Sequence, residues 1–457
     1  VERKSEKMIG TVVVYSPENS NRLAYVLDWL LQERLQVSYR ITNDASELTN
    51  APMAISYGRV VPGVVSIPDK KLLWQKGGEV PTPEAGQWED IPTLFAENTG
   101  AYAIPFDLFS AIFFLLSRLE EYGFYKPDKH GRYPATASIL YKKGWLTRPI
   151  VDEWVWAFRE LLCAEYGFEV PPSLFTYQPT YDIDIAYSHL YKGPKRTAGG
   201  YIRSILKIDV AQIKERTSVL RFRQKDPYDS FRWLRQIHKA YACKPIYFVL
   251  AALKTTAFDK NIHPEHPAMV RVIKNIVKDG EVGMHPSYYS TEDSVVKQEK
   301  KILESIVGSA VNMSRQHYIK MKVPETYRRL QQNGITDDYS MGYGAHLGFR
   351  AGTGSSFMWY DVERDVVTTL RIHPFCFMDS TAHHEQKLTV GEAFDALKTM
   401  GCILQKTGST LTTVFHNFSL GTSREWKGWR QAYEHFLHEK KCEQTSLPEK
   451  KGVPASE

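Results

Sequence analysis

The 457-residue sequence predicts an α/β protein of two or three domains, and three observations carry the prediction. Short runs rich in β-branched and aromatic residues alternate with longer stretches whose apolar residues recur at helical spacing, as in strands joined by helices. Several strand-like runs end on a carboxylate, an imidazole or an arginine, and α/β sheets gather their functional groups at the carboxyl ends of strands. Apolar residues make up 43% of the chain and aromatics 12%, ample for large cores.

In chain order, residues 9–15 read as a buried strand, 19–33 as a helix, and 37–41 and 53–56 as further strands, giving a small α/β module over 1–104. Residues 105–122 are apolar on nearly every side, so that helix is expected to be buried. Its charges, Arg118, Glu120 and Glu121, then need partners, and Asp128, Arg132 and Asp152 are the candidates for a buried ion-pair network joining two domains. An amphipathic helix at 149–166 and the pair Pro171-Pro172 close a helical connecting segment, 105–172, expected to pack on both domains. Over 173–441, strands are expected at 180–185, 245–251, 281–284, 348–350, 370–374 and 411–415. Helices are expected at 229–241, 267–278, 290–307 and 323–333, with a Trp-rich one at 423–441. Residues 442–457 are polar and expected to be flexible.

Composition narrows the function. Fifty-eight basic against 52 acidic residues leave only +6, with no arginine-rich arm and no aromatic-basic repeat, so a nucleic-acid partner is not expected. The mean hydropathy of −0.37 fits a soluble chain, and the apolar run at 108–116 is far short of the roughly 20 residues that span a bilayer. No signal peptide is legible, although a chain opening on Val1 leaves room for a removed leader. Five cysteines without a C-x-x-C spacing read as reduced thiols, and the cytoplasm is the expected compartment.

The chemistry concentrates at strand ends. In Thr180-Tyr181-Asp182-Ile183-Asp184 two carboxylates two residues apart face the same side of an extended chain. Like charges so close repel unless a cation stands between them or an arginine neutralises one, which points to a metal site; a capping pair for the next helix is the alternative. His285 ends the run at 281–285, Arg350 the run at 348–350 and His416 the run at 413–416, while Arg315 and His317 follow a short strand. A Zn²⁺-like ion takes carboxylate and imidazole ligands, and a hydrolase built on it needs a base, an acid and groups that orient them. His373 and Asp379 read as structural, with Asp379 able to orient a catalytic histidine, and His383-His384 as a surface pair.

This set, in this order, resembles the polysaccharide deacetylase (NodB-like) superfamily over residues 175–420. Thr180 to Asp184 is similar to its first motif, Gly283-Met284-His285-Pro286-Ser287 to the second, Phe349-Arg350-Ala351-Gly352-Thr353 to the third and Val414-Phe415-His416 to the last. Segments 105–122 and 131–154 resemble an uncharacterised domain that precedes such deacetylases in some bacteria. The resemblance implies a distorted (β/α) barrel of about seven strands behind a smaller α/β domain with buried helices. It implies a hydrolase that removes an N-acetyl or similar acyl group from a carbohydrate with metal-activated water. Asp182 would be the base, Arg350 its partner and His416 the acid; Asp184 and His285 would hold a divalent metal, Zn or else Co, Ni or Mn. The motif's second histidine, four residues after the first, is Tyr289 here, so one ligand is missing; His317 is the expected replacement, with Tyr289, His346 and water as alternatives. The first motif is one residue longer than usual, which leaves open whether Asp182 and Asp184 exchange roles. Tyr288, Tyr343 and Trp359 are candidates for stacking on sugar faces. Two rivals are a non-catalytic glycan-binding relative that has lost its metal and a nucleotide-sugar transferase using Asp182-Ile183-Asp184; oligomeric state is not legible.

Overall fold

The computed structural model describes residues 11–167 and 173–445. The expected strand start at Ile9 and Gly10, the pair Pro171-Pro172 and the tail beyond Thr445 lie outside the described residues. The chain divides into two bodies. One takes the described residues of Val1–Tyr177 together with Tyr318–Cys376 and Met400–Thr412; the other takes Gln178–His317, Phe377–Thr399 and the described residues from Thr413 onward. Residues 318–376 and 400–412, expected inside the barrel, therefore belong with the first body, and 105–167 is part of that body rather than a separate connecting segment.

The first body begins with β1 (Val12–Tyr15), all buried, and α1 (Asn21–Leu27), which starts at Ser20, whose hydroxyl accepts a hydrogen bond from Leu23 N. With β2 (Tyr39–Thr42), β3 (Ala54–Tyr57) and β4 (Val65–Ile67), β1 forms a parallel sheet in the order β2-β1-β3-β4. An antiparallel hairpin of β5 (Ala85–Trp88) and β6 (Ile91–Leu94) follows. Then come α2 (Leu108–Leu116), α3 (Ile139–Lys142) and α4 (Ile150–Tyr166). Every residue of α2 is buried, as its all-round apolar sequence requires. The charges after it are paired within this body: Arg118 with Glu120 at 2.7 Å and Glu121 at 2.8 Å, and Arg132 with Asp128 at 2.7 Å.

The second body runs β7 (Thr176–Ile183), α5 (Gly193–Leu206), α6 (Val210–Leu220), α7 (Phe231–Tyr241), β8 (Ile246–Leu250), α8 (Pro267–Ile276), β9 (Glu281–His285), α9 (Asp293–Val307) and β10 (Met313–Ser314). The first body resumes with α10 (Glu325–Gln332), β11 (Asp337–Asp338), β12 (Phe357–Asp361) and β13 (Val366–Ile372), where β13 pairs parallel with β11 and antiparallel with β12. β14 (Phe377–Met378), α11 (Val390–Lys406), β15 (Thr410–His416) and α12 (Trp429–Thr445) complete the chain. Within the second body the strands lie in the order β10-β9-β8-β7-β15-β14. Among the described residues no pairing joins β10 to β14, so the expected closure of this body into a barrel of about seven strands is not found.

The pairs β7–β8, β8–β9 and β9–β10 are all parallel, and all of β8 and nearly all of β9 are buried, the burial that helices on both faces impose. Parallel register aligns the carboxyl ends: Leu250 lies opposite His285, and Met284 opposite Ser314. The expected strand at 348–350 is irregular instead and belongs to the first body, where Phe349 N donates to Leu146 O at 2.8 Å.

Candidate metal centre

The carboxyl end of β7 is clamped by two asparagines. Asn261 Nδ2 donates to Ile183 O at 2.8 Å and Leu250 O at 3.2 Å, while its Oδ1 accepts from Ala186 N at 3.1 Å. Asn417 Nδ2 donates to Ile185 O at 3.1 Å and Tyr228 O at 2.8 Å. Asp184, just past the strand, is thus fixed between groups arriving from β9, β10 and β15.

Three imidazoles converge on its carboxylate. His285 Nε2 stands 3.2 Å from Asp184 Oδ1, and His317 and His416 place Nε2 at 3.5 and 3.4 Å from Oδ2. Each ring is tethered from behind. His285 Nδ1 donates to Arg315 O at 2.5 Å, since a carbonyl can only accept; His317 Nδ1 meets Asp259 Oδ1 at 3.0 Å; His416 Nδ1 meets Asp379 Oδ1 at 2.6 Å. A proton held at Nδ1 leaves Nε2 of a neutral ring with its lone pair toward the carboxylate. That is the arrangement found where imidazoles ligate metals and an outer acceptor sets the tautomer.

Asp182 is oriented differently. Its Oδ1 receives Arg315 Nη1 at 2.9 Å, and the same nitrogen donates to Thr180 Oγ1 at 2.7 Å, while Oδ2 lies 3.8 Å from His285 Nε2. Arg315 packs over the Phe248 ring at 4.4 Å. The guanidinium thus holds Asp182 beside the imidazole cluster.

The donor set fits a divalent cation. Ligand atoms of Asp184, His285 and His317 lie within 4.8 Å of one another, and one carboxylate with two imidazoles is a common way to hold zinc-like ions with a coordination place left over. Asp184 Oδ1 is enclosed and has no hydrogen-bond partner, with His285 Nε2 3.2 Å away, so a buried carboxylate oxygen is left for a cation to satisfy. Asp184 keeps 16% of its side chain exposed against 3% or less for Asp182, His285 and His317, so the cluster opens to solvent at the carboxylate. Burial acts to raise the Asp184 carboxyl, but His317 and His285 outweigh it and hold it well below the usual range. Burial likewise opposes protonation of His317 and His416, and the carboxylates reverse it: Asp184 and Asp259 lift His317 to about 9, and Asp379 and Asp184 lift His416 well above an ordinary imidazole. A second grouping, His383, His384 and Glu425, could also hold a metal but is half-buried to exposed.

Of the residues expected at the site, Asp182, Asp184, His285, His317 and His416 come together. Arg350 does not join them: it forms a bidentate pair with Glu121 at 2.8 and 2.6 Å in the first body, and Arg315 occupies the place beside Asp182 expected for it. Tyr343 and Trp359 also belong to the first body, where they are 3% and 1% exposed, so neither ring offers a face to a sugar. Tyr288 stacks on Phe258 at 3.9 Å and is 8% exposed. Of the alternatives to His317, His346 lies in the first body against Tyr141, and Tyr289 is 53% exposed. Asp259 and Asn261 were missed, because the irregular stretch between β8 and α8 carries no period to flag them.

The site is therefore a carboxylate-and-imidazole cluster at the carboxyl ends of parallel strands, with a donor set that could hold a metal ion. Residues 12–167 match the model of a family of unknown function, DUF7033. No curated protein matches the sequence. The fold search finds a Mycobacterium smegmatis protein named for the polysaccharide deacetylases, 11% identical with a TM-score of 0.38 over 63% of this chain and 97% of that one. It also finds the polysaccharide deacetylase Bc1974 from Bacillus cereus, 11% identical with a TM-score of 0.29 over 58% and 88%. A third is BA3943 from Bacillus anthracis, a CE4 family pseudoenzyme, 8% identical with a TM-score of 0.30 over 60% and 63%.

Proposed function

We propose that the second body is a metal-dependent hydrolase that removes an acetyl or similar acyl group from an amide nitrogen on a carbohydrate. The observation that carries this reading is the convergence of three tethered imidazoles on Asp184, with Asp182 held beside them by Arg315. Asp184, His285 and His317 would hold a divalent cation, zinc or else cobalt, nickel or manganese. Bound there, the cation supplies Lewis acidity, polarising an acyl oxygen and making water easier to deprotonate.

The chain's own groups divide the proton work. Asp182, fixed by Arg315 and Thr180, is the base that takes a proton from the attacking water. His416 carries a proton that Asp379 and Asp184 help it keep, and gives it to the departing amine. Asp259 and Asp379 orient His317 and His416. Tyr289, at the position where the resembling motif has its second histidine, presents an open ring suited to a sugar face.

A non-catalytic carbohydrate-binding role is the second reading, favoured by that same Tyr289 in place of a histidine. The transferase reading needs both carboxylates on one cation and a diphosphate, and the engagement of Asp182 by Arg315 speaks against it. Incubation of the purified chain with N-acetylated oligosaccharides and Zn²⁺ or Co²⁺ should release acetate, and Asp182→Asn should abolish the release while keeping the metal. Absence of stoichiometric metal, with no acetate released from any N-acetylated glycan by wild type or variant, would leave only the binding role.

A further inference from the structure

Between β7 and β8 the chain makes an excursion that the hydrolytic chemistry does not use: the helical hairpin of α5 and α6. The base of the excursion is closed by Asp226, whose carboxylate accepts hydrogen bonds from Ser188 N at 2.8 Å, His189 N at 2.8 Å and Leu190 N at 3.1 Å. The two helices are locked to each other, Ser204 Oγ meeting Gln212 Oε1 at 2.9 Å and Tyr201 Oη meeting Thr217 Oγ1 at 2.9 Å. The hairpin so tied is entered from the carboxyl end of β7, a few residues past Asp184.

Its outer end is apolar and open. Ile202, Ile205 and Leu206 share one face of α5, at i, i+3 and i+4, and Ile208 and Val210 continue the patch through the turn. These five side chains are 55% to 83% exposed, although they fall within a stretch of nine residues. Single exposed apolar side chains are ordinary, but a contiguous patch at the turn of a hairpin marks a docking surface. Ile208 also sits in the left-handed region at φ 54°, where glycine or asparagine would be less strained, so turn geometry does not account for an isoleucine there.

Charge identifies what covers the patch. Residues 192–225 contain ten basic residues against two acidic ones. Both acids are already engaged: Asp209 with Arg424 at 3.0 Å and Glu215 with His189 at 3.0 Å. Arg203 and Lys214 form no ion pair among the described residues, Lys207 reaches only Asp209, which Arg424 already holds, and all three are exposed near the turn. An apolar tip flanked by an excess of cations matches the boundary between acyl chains and anionic headgroups, where the side chains enter and the cations stay with the phosphates. A second copy of the same surface would set like charges against each other. No helix among the described residues is long and apolar enough to cross a membrane, so the contact is peripheral.

We propose that the α5–α6 hairpin docks this protein on the surface of an anionic phospholipid bilayer, with Leu206 and Ile208 inserting and the surrounding cations contacting headgroup phosphates. This stands apart from the hydrolase reading and survives its failure. The test is co-sedimentation of the full chain with vesicles of phosphatidylcholine alone and of phosphatidylcholine containing phosphatidylglycerol. Association is expected with the second and not the first, and should weaken as salt screens the cations. Leu206→Ser with Ile208→Ser should lower it roughly tenfold or more, and Arg203→Glu with Lys207→Glu should do the same, with circular dichroism unchanged in both. In Ile208→Trp the emission should shift to the blue on adding anionic vesicles. The proposal is overturned by no association with phosphatidylglycerol vesicles, by association that the Leu206/Ile208 variant leaves unchanged, or by a dimer in solution that this variant dissociates.

Discussion

At the scale of single residues, a proton and a metal compete for the same imidazole. His317 lies between Asp184 and Asp259, which lift it to about 9 from an ordinary 6.5. In the metal-free chain its contribution to stability is fully present below about 6.5 and lost as pH rises through about 9, because the folded state holds the proton more tightly than the unfolded state. A ligating imidazole must give that proton up, so Zn²⁺ affinity should climb across the same window and binding should release a proton. Calorimetric titrations in buffers of different ionisation enthalpy measure both; an affinity flat from pH 6.5 to 9 would remove His317 from the ligand set. Asp259→Asn weakens the tether on His317 Nδ1 and should cost about 10- to 100-fold in metal affinity, read by competition with a chromophoric chelator. The residues that converge were legible because each ends or closely follows an apolar run. The partner of Asp182 was not: Arg315 and Arg350 both stand near strand-like runs, and only the parallel register of β9 and β10 brings Arg315 to the cluster. Asp379 reads from the sequence as structural, able to orient a catalytic histidine, and the short strand β14 that places it was not legible; Asp259 lies in an irregular stretch without any such cue.

At the scale of elements, the loop that follows His285 is held by a helix rather than by the sheet. Glu299, buried on α9, accepts Ser287 N through Oε2 at 3.0 Å. Burial pushes its carboxyl up to about 7 against the partial relief of the Ser287 hydrogen bonds. The folded pKa is above the unfolded one, so the contribution of Glu299 to stability is fully present below about 4.5 and is lost as pH rises through about 7. Glu299→Gln keeps an acceptor for Ser287 N and carries no charge. The variant should therefore escape that loss and gain on wild type by on the order of 2 kcal/mol between pH 4.5 and 7, read from urea midpoints at a series of pH values. Equal pH dependence in the two proteins would show that Glu299 ionises freely. The strands and helices around this loop fall close to where sequence periodicity puts them. The exception at 348–350 is instructive: Gly348 has φ 128° and its chain pairs with Leu146 and Cys376 as an irregular turn, so its apolar look reflects burial rather than extension.

At the scale of the whole molecule, two bodies are threaded by one chain that returns to the first after building most of the second. The sequence reading divides the chain after residue 172, where Pro171-Pro172 punctuate it, but local texture is alike in both bodies, so the return of 318–376 and 400–412 to the first body was not legible. Arg350 shows what this division means for function. It resembles a catalytic-site arginine by motif, yet its guanidinium is 1% exposed and bonded to Glu121, itself paired with Arg118. Every residue of the cation cluster and every tether behind it belongs instead to the second body. Arg350→Met leaves Glu121 buried with one of its two cations gone, and should destabilise the first body by about 3 kcal/mol. The same change touches no ligand and no tether, so Zn²⁺ affinity below the melting transition should stay as in wild type. Arg315→Met leaves Asp182 buried without its cation, so it should destabilise the second body and also lower Zn²⁺ affinity by releasing Asp182 beside His285. Melting curves and metal titrations of the two variants together decide the matter: loss of metal affinity in Arg350→Met at temperatures where it remains folded would tie that arginine to the cluster after all.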